Sequence, residues 1–221
     1  MLNLYHQIFV SIKNKIMSNL IKNSLEKSIS YQAYRDLVKQ LSEENSNSGP
    51  EKTKALADYT KLNDRRMKRW DKTIKISEEA QHKIGNFKES ITWLLITESW
   101  CGDAAHIVPV LNKIADLNDK IDLKVVFRDD NPELIDAYLT NGNRAVPKVI
   151  MIDNESGDVI DTYGPRPRVA TELVTRYKAK FGKLTPEFKE DLQRWYNNDK
   201  GQNIVKDITE MLCELQPSVC Q

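Results

Sequence analysis

Apolar positions recur at helical spacing over residues 18–42, where Leu20, Leu25, Ile29, Tyr34, Leu37, Val38 and Leu41 predict a helix. The polar run "SEENSNSGPE" interrupts the pattern and reads as a loop broken at Gly49-Pro50. A second helical stretch, "TKALADYTKLNDRRMKRWDK", places Leu56, Tyr59, Leu62 and Met67 towards one side. From Thr73 the texture changes. "TIKI" reads as a short strand, and "SEEAQHKI" as a helix capped by Ser77 with acids in its first turn. "SITWLLIT" is apolar almost throughout, the pattern of a central strand covered on both faces. "AAHIVPVLNKIADLN" is helical, with Ile107, Val110, Leu111, Ile114 and Leu117 on its apolar side. "IDLKVVFRD" is a strand, and "NPELIDAYLTNG" a helix with Asn131 as cap, Pro132 first and Gly142 after its end.

"PKVIMID" and "GDVIDTYG" are two strands joined by "NESG", an antiparallel hairpin. "RPRVATELVTRYKAKFG" is a helix closed by Gly182, and "TPEFKEDLQRWY" and "GQNIVKDITEMLCEL" add two more. The order is β-α-β-α-β-α-β-β-α with helices on either side. It predicts an α/β fold: a parallel core made by right-handed crossovers, with the hairpin as an antiparallel addition.

Charge changes this picture little. The chain of 221 residues carries 33 basic and 32 acidic residues, net +1, so no broad field draws it to nucleic acid or to anionic membrane. No apolar run approaches the roughly 20 residues of a membrane helix. The first residues lack a basic region ahead of their apolar patch and a small-residue cleavage site after it, so the expectation is a cytoplasmic protein. Met17 opens a second plausible start, which makes residues 1–16 either an upstream extension or part of the first helix. Arg65, Arg66, Lys68 and Arg69 form a basic cluster, read as a solvated face interleaved with Asp64 and Asp71, or more sharply as an anion or partner site. His6, His82 and His106 are scattered and no Cys/His spacing suggests a metal site; His106 reads as a partly exposed helix residue. The three cysteines, at 101, 213 and 220, are too few for a disulfide scaffold and fit a reducing compartment.

The chemistry concentrates in "ITESWCGDAAHIVP", residues 96–109. A strand, a tight turn and a helix in succession put Cys101 at a helix N-terminus, where unpaired backbone N–H groups favour a thiolate. Gly102 permits the turn and Trp100 can wall the sulfur. This segment resembles the active-site motif of the thioredoxin family, Trp-Cys-Gly-Pro-Cys with a helix-kinking proline beyond it. Trp100, Cys101 and Gly102 match, Pro109 stands at the kink, and Val146-Pro147 in "RAVPKVIMID" stands where the family places a cis-proline facing the cysteine. The resemblance covers residues 73–183. It implies a thioredoxin-like mixed sheet flanked by helices, with a helical extension over 17–72 and a second, with a tail, over 184–221.

It further implies a site in which Cys101, Trp100 and Asp103 carry the chemistry and Gly102, Ala145, Val146 and Pro147 bind substrate. The implied partners are protein or small-molecule thiols and disulfides, glutathione among them; no cofactor, metal, nucleic acid or membrane is implied, and the oligomeric state is open. Three positions depart from the family. Asp103 replaces the motif proline, Ala104 replaces the resolving cysteine, and Leu95 stands where a buried acid assists proton transfer. Two readings follow: a single-cysteine thiol-disulfide oxidoreductase in cell redox homeostasis, or a redox-inactive adaptor that holds a protein partner. The first expects a partly accessible sulfur with a lowered pKa; the second expects one titrating at or above its free value. Cys213, among Met211, Leu212 and Leu215, reads as packing, and Cys220 as a mobile tail residue.

Overall fold

The computed structural model describes residues 15–220. Most of the 1–16 segment, and His6, lie outside that range. The described chain begins helical over residues 15–26 (α1), followed by a two-residue strand β1 (Ile29–Ser30) and α2 (Tyr31–Glu43). The single helix expected over 18–42 is therefore two. Ser28 Oγ donates to the Leu25 carbonyl at 2.7 Å, and Ser30 Oγ caps α2 by accepting from Ala33 N at 3.2 Å. Short hydroxyl side chains that bond the local backbone compete with helix continuation and favour such a break.

Next come α3 (Lys54–Thr73), α4 (Glu78–Asn86), β2 (Ile91–Thr97), α5 (Ala104–Ala115), β3 (Ile121–Phe127) and α6 (Pro132–Ala137). The chain closes with β4 (Lys148–Asp153), β5 (Val159–Tyr163), α7 (Arg168–Phe181), α8 (Pro186–Asp199), α9 (Gln202–Leu215) and a 3-10 turn over Pro217–Cys220. The five strands form one mixed sheet in the order β1-β3-β2-β4-β5. All seven residues of β2 are buried, Thr92 and Thr97 included, as its nearly continuous apolar run requires.

"TIKI" is not a strand. Ile74 and Ile76 are buried, but the free edge of β3 is already taken by β1, which pairs Ile29 with Val125. The parallel core also contracts to one pair, β2 with β3; β4 runs antiparallel to β2, with Lys148 opposite Ile96. The reason lies in α6. Its helix ends at Ala137, not near Gly142, and spans only about 9 Å. That is far short of the roughly 23 Å a seven-residue strand covers, so it cannot carry the chain back for a parallel return. Instead the chain turns over residues 138–147 and enters the sheet beside the end of β2.

α3 packs on α2 and α5, and α9 on α4 and α5. The C-terminal tail is held down: Cys213 and Cys220 form a disulfide with 5.6 Å between their Cα atoms, and Val219 between them is buried. This replaces the mobile tail expected for Cys220; Cys213 packs against the core as expected and carries the bond as well. Among the described residues no helix is long and apolar enough to cross a membrane.

Candidate active site at the start of α5

β2 ends at Thr97 and the chain turns at once, Cys101 N donating to the Glu98 carbonyl at 3.1 Å. Helical bonding starts at Cys101, whose carbonyl accepts from Ala105 N at 3.2 Å. The cysteine therefore sits where the unpaired N–H groups of α5 converge, and the amides of Asp103 and Ala104 point at its sulfur. Opposite lies the loop before β4, in which the Val146–Pro147 peptide is cis. Cys101 Sγ donates to the Val146 carbonyl at 3.2 Å. Gly164 braces that loop from behind: it has φ +103°, and a Cβ there would lie 2.4 Å from the Pro147 carbonyl oxygen, so no other residue fits.

The sulfur is not in the environment the motif implies for a reactive thiol. Cys101 is 8% exposed, and burial together with the neighbouring Asp103 carboxylate pushes its thiol up to about 12. The two backbone amides and the Arg166 guanidinium pull the other way and lose. Removing a charged sulfur from water outweighs a helix terminus when the nearest acid is only two residues away.

Asp103 is anchored from two sides. Arg166 Nη2 pairs with one carboxylate oxygen at 2.6 Å, and Tyr196 Oη of α8 donates to the other at 2.9 Å. Burial pushes the carboxyl up while Arg166 and Tyr196 pull it down. One turn along, His106 is buried rather than partly exposed. Its Nδ1 accepts from the Trp70 indole N–H of α3 at 2.9 Å, which leaves Nε2–H to donate to Gln193 Oε1 of α8 at 2.8 Å. Its ring stacks on Tyr196 with centroids 4.5 Å apart. Burial pushes the imidazole down to about 3, so it is neutral at any physiological pH. His106 is a rivet between the two helical extensions.

On the other side of the turn a second buried polar group ties α3 and the 44–53 loop to the end of β2. Asn63 Nδ2 donates to the Ser99 carbonyl at 2.9 Å, and the Thr60 and Ser99 hydroxyls lie 2.9 Å apart. Ser48 N donates to Ser99 Oγ at 2.9 Å. Glu98, fully buried, accepts from the Ser48 hydroxyl and, at 3.0 Å, from Asp129 N. Burial raises its carboxyl and these two donors lower it. Leu95 is buried and apolar, so the acid of this region is Glu98, and both its oxygens are engaged away from the sulfur.

Trp100 is half-buried, with the Arg128 guanidinium 4.8 Å from its ring centroid and its indole N–H unpaired. Gly49 packs against it: a Cβ there would stand 3.1 Å from the indole nitrogen. Gly102 and Ala145 are partly exposed, Val146 and Pro147 buried. The expected site residues thus converge, but the sequence reading missed most of what surrounds them: Glu98, Ser99, Asn63, Trp70, Arg166, Gln193 and Tyr196. Glu98 alone carried a local signal, an acid directly after a strand that is apolar almost throughout. Among the described residues no group of three or more His, Cys, Asp or Glu comes together to hold a metal ion.

Comparison with known proteins decides the lineage. The thioredoxin family model matches residues 49–178, more than half of the chain. The chain belongs to the thioredoxin family. No curated protein matches it. Among solved structures it is similar to a Pseudomonas aeruginosa protein of unknown function, with a TM-score of 0.52 and 14% identity over 82% of this chain and 94% of the other. It is similar also to an HIV epitope-scaffold, with a TM-score of 0.51 and 14% identity over 84% and 98% of the two chains. At that identity the likeness extends to the fold alone. It does reach, however, across most of the helical extensions as well as the sheet. The fold supports a general thioredoxin-type role, redox or adaptor.

Proposed function

We propose that this thioredoxin-family protein acts as an adaptor, binding a protein partner beside the Val146–Pro147 loop without turning over disulfides. The observation that carries the reading is the state of Cys101: buried, hydrogen-bonded to Val146 O, and held as the thiol well above the free value of about 8.5. Two further features support it. Ala104, fully buried, supplies no resolving sulfur, and Cys213 and Cys220 are already bonded to each other. A partner chain would lie along the partly exposed Gly102 and Ala145, with Trp100 at its side.

A second reading has one specific observation in its favour, the two backbone amides and Arg166 that face the sulfur. In it the Cys101 thiolate attacks a protein or small-molecule disulfide, forming a mixed disulfide and releasing one thiolate; a small thiol such as glutathione then attacks the mixed disulfide and frees Cys101. The pH dependence of iodoacetamide alkylation, followed by intact mass, separates the two. The adaptor reading expects slow modification of Cys101 whose rate still climbs above pH 9. A rate that levels off at or below pH 8.5 would remove it and leave the site to single-cysteine exchange.

A further inference from the structure

The basic cluster of α3 changes meaning once the helix is placed. In sequence its cations alternate with Asp64 and Asp71, which would neutralise them. In the folded protein both acids turn to the α2 side. Asp64 Oδ1 takes Arg35 Nη2 at 3.2 Å, and Asp71 takes Arg35 Nε on Oδ2 at 3.0 Å while its Oδ1 accepts from the Tyr31 hydroxyl. Lys61, Arg65, Lys68 and Lys72 recur at i, i+4, i+7 and i+11, a single stripe along the outer face of α3 about 16 Å long. Arg69 flanks it. All five are exposed, and none takes part in an ion pair among the described residues. Like charges at these spacings work against the helix, so the stripe has no account as a stabilising feature.

From this we infer that the outer face of α3 is a docking surface for an acidic polypeptide segment, one that presents carboxylates at helical spacing. This rests on the adaptor reading, whose partner it describes. Charge complementarity identifies the occupant, and the make-up of the stripe narrows it. The apolar residues between the cations offer little to a bilayer or a base: Met67 and Trp70 are buried, Trp70 with Arg69 over its ring at 4.7 Å, and Leu62 is half-buried. The same helix also reaches the Cys101 site. A Cβ on Gly102 would stand 3.8 Å from Arg66 Nη1, and Asn63 and Trp70 on its inner face hold Ser99 and His106. A segment seated on the stripe would lead its chain towards the cleft.

The test is fluorescence anisotropy with a labelled helical peptide bearing glutamate at every i, i+4 position over four turns. The protein is used as the full chain, with Lys61→Gln/Arg65→Gln/Lys68→Gln against a control, Lys178→Gln/Lys180→Gln/Lys183→Gln, on and just beyond α7. All six side chains are exposed, so neither variant disturbs the fold. The stripe variant is expected to bind the peptide about tenfold more weakly than wild type, the control to match wild type, and added salt to weaken binding. Equal loss in both variants, or no binding by wild type, would overturn the proposal. So would tighter binding of an oligonucleotide of equal charge or of phosphatidylserine vesicles, or loss of the sites to self-association in sedimentation. Peptide binding does not require Cys101. Failure here with slow Cys101 alkylation therefore removes the stripe alone, and intact binding with fast alkylation removes the adaptor reading.

Discussion

The protein keeps its cysteines in two places, and the contrast between them is instructive. Cys101 stands in a Trp-Cys-Gly motif at a helix N-terminus, the setting that ordinarily makes a cysteine reactive, yet it is single, buried and protonated. Cys213 and Cys220 stand in no motif, one inside α9 and one in a short turn, yet they form the disulfide. Local sequence placed the first sulfur; only the three-dimensional path of the tail brought the other two together. Reactivity follows the groups around a sulfur, and at Cys101 two of those groups, the Val146 carbonyl and the Arg166 guanidinium, come from far away in sequence.

The largest test of this contrast is acid. His106 joins Trp70 to Gln193 as a neutral ring, its pKa held near 3 against about 6.5 in the unfolded chain. Because the folded value is depressed, the unfolded state binds more protons between those limits. The contribution is fully present above about pH 6.5 and is lost as pH falls towards 3, at up to about 1.4 kcal/mol per pH unit. Urea unfolding should show that slope in wild type and a flatter acid limb in His106→Gln. The Cys213–Cys220 region has no such rivet. If the limb in wild type is no steeper than in the variant, His106 is not holding the extensions to α5.

A smaller effect is expected at the other sulfur site. The disulfide closes a loop of sequence separation 7, for which chain entropy gives roughly 2 kcal/mol. Cys213→Ser should lower stability by about that amount in denaturant titration. It should leave Cys101 alkylation as it is, because the tail bears on α9 and α4. A changed Cys101 rate would show that the two sulfur regions communicate and that their separation has been misjudged.

These expectations bear on how far the sequence could be read. The apolar run of β2, the Ser77 cap, Gly182 and the hairpin were legible because each depends on neighbours within a few residues. The use of Ile29–Ser30 as a strand and the loss of "TIKI" as one were not, since both turn on which segment reaches the edge of β3; the Ser28 and Ser30 hydroxyls only made the helix break locally possible. The site divides the same way. Cys101, Gly102 and Pro147 could be placed from local pattern and resemblance. The protonation state of Cys101 could not, because it is set first by burial, which the whole fold creates, and is opposed by Arg166, a residue far along the chain that meets Asp103 and the sulfur only in space. Asp64 and Asp71 teach the same lesson: adjacent in sequence to cations of α3, they pair with Arg35 of α2 instead.

The finest test acts within the site, on the residue that most distinguishes it from a thiolate-forming one. Asp103 stands two positions from Cys101, and after burial its charge is the chief influence raising the thiol. Asp103→Asn removes that charge while keeping the shape and an acceptor for Tyr196 Oη. It also leaves Arg166 without its counterion, so the guanidinium acts on the sulfur unopposed. Both changes lower the thiol pKa, whereas burial, untouched, keeps it above the free value. Alkylation of Cys101 at pH 8 should therefore accelerate by about tenfold, the equivalent of one pKa unit or 1.4 kcal/mol. The sign extends to stability. A thiol raised in the folded state adds stability below about pH 9 that is lost as pH climbs towards 12. With the folded value lowered, Asp103→Asn should shift that alkaline loss into a narrower range. An unchanged or slower alkylation rate would mean that Arg166 already cancels the carboxylate at the sulfur, leaving burial alone to keep Cys101 silent.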